Sequence, residues 1–116
     1  MAISEAYSGT ASITSTEYSC PNAATYAAGS AITTDGVYQV FLDTSDMVAG
    51  DSLQIRIYEK CRSGDTQRII YEAILTGTMA ATWVSPSLIL LHGWDVSLQT
   101  LAGTSITVNW SIRQVA

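Results

Sequence analysis

Hydrophobic and polar positions alternate with a period of two through much of this chain, most clearly over residues 52–76, SLQIRIYEKCRSGDTQRIIYEAILT. In the first arm Leu53, Ile55 and Ile57 alternate with Gln54, Arg56 and Tyr58. In the returning arm Ile69, Tyr71, Ala73 and Leu75 alternate with Arg68, Ile70, Glu72 and Ile74. Successive side chains of a strand point to opposite faces of its sheet, so the pattern predicts a β-hairpin. Residues 61–66 supply its turn, with Gly64 free to take a positive φ. Ile70 and Ile74 fall on the outward alternation, an unusual position for two isoleucines.

The same reading places a strand near residues 5–14 and a short one near 31–33, in a Ser-, Thr- and Ala-rich N-terminal third. That third is expected to form an edge strand and surface loop, with an arm ordered against a partner as the alternative. Residues 37–43 have Tyr38, Val40 and Leu42 on one face and Val37, Gln39 and Phe41 on the other, which suggests a central or covered strand. A connection follows over 44–51, where Asp46 is a candidate cap for one helical turn. Pro86 interrupts a strand over 82–91 and puts it at an edge or a bulge, because proline has no ladder donor. Leu88, Ile89, Leu90 and Leu91 ask for cover on both sides. Trp94, Val96 and Leu98 alternate in the next strand. The last strand, 105–115, points Ile106, Val108, Trp110 and Ile112 inward and Thr107, Asn109, Ser111 and Arg113 outward. Seven or eight strands at roughly ten-residue spacing predict one all-β domain over residues 1–116, an antiparallel β-sandwich with Ig-like or jelly-roll connectivity.

Composition refines this picture in two ways. Only 13% of residues are charged while Ser and Thr number 28, so the solvent face is largely hydroxyl. Net charge is −5, the opposite of a nucleic-acid-binding footprint. The charge is also polarised: four of the five basic residues, Arg56, Lys60, Arg62 and Arg68, lie in the hairpin, which totals +1 against −6 for the remainder. Such a dipole steers docking onto a charged partner; a solvated strand face is the plainer account. The start MAISE has neither the basic nor the apolar region of a secretory signal, so the chain is expected to remain in a cytoplasm. No apolar run is long enough to span a bilayer. Cys20 and Cys61 are expected as free thiols.

Candidate chemistry is sparse. His92 is the only histidine, and with Asp95 and any of many serines it makes a triad that carries almost no signal. Asp43, Asp46 and Asp51 cluster without the spacing of a calcium loop and read as turn residues. Among the tryptophans, Trp94 and Trp110 fall on inward positions, leaving Trp83 as the one candidate for an exposed stacking platform.

Four stretches, DGVYQVFLD, AGDSLQIRIYEKCRSGDTQR, SPSLILLHGWDVSL and AGTSITVNWSIRQV, together resemble a family of small structural proteins encoded in tailed-bacteriophage genomes near the major capsid gene. They cover most of residues 35–115 and contain no catalytic motif. The resemblance implies a virion protein without enzymatic activity or cofactor, a decoration (cement) protein on the outer capsid, assembled in the host cytoplasm. Its implied partners are the major capsid protein and further copies of itself, as a dimer or trimer, with neither nucleic acid nor membrane. Arg56, Lys60, Arg62, Arg68, Ile70, Ile74 and Trp83 are the candidate contact residues. A glycan- or receptor-binding module of a head or tail appendage, and a tail-tube or head-completion protein, are the alternatives.

Overall fold

The computed structural model describes residues 2–28 and 32–115, and all of the regular structure in them is β. Ten strands are formed: β1 (Ile3–Ile13), β2 (Tyr18–Ser19), β3 (Ala24–Thr25), β4 (Gly36–Asp43), β5 (Ser52–Glu59), β6 (Arg68–Thr76), β7 (Trp83–Val84), β8 (Leu88–Leu90), β9 (Asp95–Ala102) and β10 (Ile106–Val115). They make two five-stranded antiparallel sheets. Sheet A runs β1-β10-β4, with β7 and β8 both pairing with the far side of β4; sheet B runs β3-β2-β9-β5-β6. The hairpins β2–β3 and β5–β6 stay within sheet B, whereas sheet A joins β1 and β10, from the two ends of the chain, to β4, β7 and β8 from its interior. The expected β-sandwich is therefore the fold.

The core lies between the sheets and follows the period-two pattern. Val40 and Leu42 of β4, Ile106, Val108 and Ile112 of β10, Leu53, Ile55 and Ile57 of β5, and Val96 and Leu98 of β9 are all buried. Trp94 is fully buried, its ring 4.5 Å from Tyr38 of β4 and 5.9 Å from Tyr7 of β1. Trp110 is buried beside Tyr18, at 5.6 Å. Across β1 the indole of Trp110 presses on Gly9, where a Cβ would meet its Cζ2 at 2.7 Å; glycine lets the edge strand approach that closely.

Several sequence-based expectations need adjusting. The edge strand expected near residues 5–14 is present as β1, which starts two residues earlier, at Ile3, and pairs with β10 along its length. Of the strand expected over 31–33, Ala31 lies outside the described residues, and Ile32 forms a single bridge to Trp94. Asp46 caps no helix. Its Oδ2 accepts the Thr107 amide at 2.8 Å and pins the start of β10. Pro86 does sit at the sheet edge, separating the two short strands that share the flank of β4.

Candidate functional site

The two outer faces of the sandwich differ in kind. On sheet B, the outward residues of β5 and β9 are covered by the chain around β2 and β3. Ser19 Oγ donates to Asp95 Oδ1 at 2.6 Å, and the Val96 amide donates to the same oxygen at 2.8 Å. Asp95 is fully buried and its Oδ2 has no partner among the described residues. Burial pushes its carboxyl pKa up to about 6, against the two hydrogen bonds, which lower it. Beside it, Glu17 Oε2 accepts from Tyr58 OH at 2.5 Å and from Ser97 Oγ, with Arg56 4.0 Å away. Tyr26 stacks on Tyr58 at 4.6 Å and donates to Gln67. Burial is the main cause that raises both phenols, Tyr26 to about 12. Glu17 is thus engaged by three neighbours and Asp95 is walled in. Neither carboxylate lines a described cavity where a substrate would meet it.

Sheet A is bare on its outer face. Ile3, Val115, Val37 and Ile89 are register partners across β1, β10, β4 and β8, so four aliphatic side chains form one row across the strands. At the usual strand spacing the row is about 14 Å long. Its ends stand proud, with Ile3 71% and Ile89 79% exposed, while Val37 and Val115 are half-buried between them. Shallow grooves of about 230 and 470 Å³ flank the row, the larger bounded by Ile89 and Leu91. The next row, Glu5–Arg113–Gln39, is polar. Ser111 Oγ donates to Glu5 Oε2 at 2.5 Å, Arg113 Nε donates to Ser111, and the Arg113 guanidinium lies 3.8 Å over the Phe41 ring. The Ser111 hydroxyl is the main group holding the Glu5 carboxyl below its usual pKa. An exposed aliphatic row rimmed by polar groups is the form an interaction surface takes.

The sequence-based contact candidates lie elsewhere. Ile70 and Ile74 are exposed on edge strand β6, Ile70 at a bulge in its pairing with β5. Lys60 and Arg68 line an open depression of about 780 Å³ at the hairpin tip with Glu59 and Asp65. Neither has an ionic partner among the described residues. Arg62 points its guanidinium back at Asp65, 3.1 Å away. Arg56 lies mid-strand in β5, away from the tip, and pairs with its register partner Glu72 at 2.8 Å. Trp83 is half-buried, its ring 6.3 Å from Tyr71.

The apolar residues of 88–91 and the two-faced pattern of β4 predict cover on both sides. That expectation fails on one side, since nothing described covers Ile89 or Leu91, and the bare row is the consequence. It combines one outward residue from each of four strands, and only the register assembles it. The three aspartates weighed as a calcium cluster are each engaged by a different backbone amide at the end of β4 or in the one connection that follows it: Asp43 accepts from Ser45, Asp51 from Val48, and Asp46 from Thr107. Among the described residues no group of three or more His, Cys, Asp or Glu is placed to hold a metal ion, and no helix is long and apolar enough to cross a membrane. No family model, curated protein or solved structure matches the chain.

Proposed function

We propose that this protein is a structural, non-enzymatic subunit of a tailed-phage particle that decorates the outer capsid surface through the outer face of sheet A. The observation that carries the docking surface is the row Ile3–Val115–Val37–Ile89. Burying one such isoleucine against a partner is worth about 1.5–3 kcal/mol, and a row of four gives a desolvated centre for an interface. The family-like stretches contain three of the four row residues and Arg113. Lys60 and Arg68 leave unpaired positive charge at the far end of β5 and β6, suited to orienting an acidic protein against a negatively charged particle surface. A glycan-binding head finds less support, because Trp83 leans on Tyr71 and offers a half-buried ring.

Ile89→Asp tests this directly. The side chain is mostly exposed, so the variant is expected to fold and melt like the parent. Its attachment to capsids stripped of the protein should weaken about 100-fold, the loss of roughly 2.7 kcal/mol. Co-sedimentation measures attachment, and calorimetry of the loaded particles measures capsid melting. Unchanged attachment of Ile89→Asp would reject the row as the docking surface. If the wild-type protein gives no rise in capsid melting temperature, the decoration reading itself is wrong.

A further inference from the structure

Two long strands end their sheets without a neighbour among the described residues: β1 in sheet A and β6 in sheet B. A free edge offers unpaired amides and carbonyls to any extended chain, and proteins usually guard it with charges, bulges or proline. β6 is guarded. It has a bulge at Ile70 and carries Arg68 and Glu72, and pairing it full length with a second β6 about a two-fold axis would set Glu72 against Glu72.

β1 is guarded only over its first residues. Its one charge is Glu5 and its bulge lies between Glu5 and Tyr7. From Tyr7 to Ile13 it pairs with β10 without a shift and has no charge and no proline. Ser8, Thr10 and Ser12 are exposed on the outer face, whereas Tyr7, Ala11 and Ile13 turn toward the core. This segment is compatible with its own reverse. Laid antiparallel to a copy about a two-fold axis at Thr10, it sets Ser8 against Ser12, Thr10 against Thr10, Gly9 against Ala11 and Tyr7 against Ile13. Hydroxyls then meet hydroxyls on one face, small and apolar residues meet on the other, and no like charges oppose. Glu5 falls beyond the paired stretch.

We propose that β1 pairs edge to edge with β1 of a second copy in this register, fusing the two A sheets into one ten-stranded sheet. The axis stands perpendicular to the sheet, so both aliphatic rows face the same way. Two rows on one rigid dimer would engage a single surface together and gain avidity without new contacts. That gain rests on the capsid reading; the pairing itself does not.

Sedimentation equilibrium of the full chain is the test, with charge placed on the axis. Wild type and Ile89→Asp should both have twice the 12.4 kDa chain mass at about 100 µM. Thr10→Lys and Thr10→Glu, each facing its own like charge, should dissociate about 100-fold more readily. Their equimolar mixture should dimerise again, because the introduced lysine of one copy then opposes the introduced glutamate of the other across the axis. Circular dichroism establishes that both variants fold, as an exposed position allows. A monomeric or trimeric wild type, a Thr10→Lys protein as dimeric as the parent, or a mixture that stays monomeric would each overturn the proposal. A monomeric wild type whose capsid attachment is lost in Thr10→Lys would assign the edge to a strand of the particle, and so overturns it too.

Discussion

Replacing Trp94 with alanine is expected to lower the unfolding free energy by about 3–5 kcal/mol, a large part of the roughly 5–15 kcal/mol a domain of this size usually has. The indole is fully buried just ahead of β9 in sheet B and reaches across to Tyr7 and Tyr38 of sheet A. Its Nε1 donates to the Thr34 carbonyl at 3.0 Å. Its backbone forms a reciprocal bridge with Ile32, with N···O distances of 2.8 and 2.9 Å. One residue therefore joins both sheets to the segment leading into β4. Alanine would leave a cavity where the two sheets and that segment meet, and it would remove the indole donor from the Thr34 carbonyl. Urea denaturation should show a lower midpoint with an unchanged slope. Trp94→Phe keeps a ring against both tyrosines but loses the donor, and is expected to fall between. A Trp94→Ala protein within about 1 kcal/mol of the parent would refute this role.

Asp95→Asn should remove a pH dependence that the parent carries. The folded pKa of Asp95 is about 6 against an ordinary 3.8, because burial disfavours its charge. The folded state thus binds this proton more tightly than the unfolded chain does. The stabilisation linked to it is fully present below pH 3.8 and is lost as the pH rises through about 6. A shift of this size is worth about 3 kcal/mol over the whole window. Asparagine keeps an Oδ1 acceptor for Ser19 and the Val96 amide and carries no charge. Relative to the variant, the parent should therefore lose roughly 2 kcal/mol of stability between about pH 4 and pH 7. The hydrogen bonds to Oδ1 are kept in both proteins, so the difference between the curves reports the charge at position 95. Parallel stability–pH curves for the two proteins would contradict the assignment.

The strand pattern and the core were legible because inward alternation is a local property. Ile106, Val108, Trp110 and Ile112 identify the buried side of β10 without reference to any neighbour. The pairing of strands was not legible, since nothing in residues 3–13 names β10 as their partner. The docking row depends on that pairing and so stayed hidden, although Val37 and Ile89 each showed an apolar residue too many. Outward Ile70 and Ile74 can be read from β6 alone, which is why the hairpin stands out in the sequence. Asp95 was equally opaque. It alternates outward, and its burial comes from a cover whose sequence around Cys20-Pro21-Asn22 has little hydrophobic pattern.

The covered face also separates the two cysteines in time. Cys61 is exposed at the hairpin tip, while Cys20 is buried next to β2 and its thiol pKa is pushed up by burial. A thiol reagent meets one reactive group in the native protein, and the second only when the chain around Cys20 lifts from β9. The modification rate of that second thiol therefore counts local openings of the seam, which equilibrium unfolding averages away. Whether the protein breathes at this seam before it melts becomes a matter of comparing two rates in one sample.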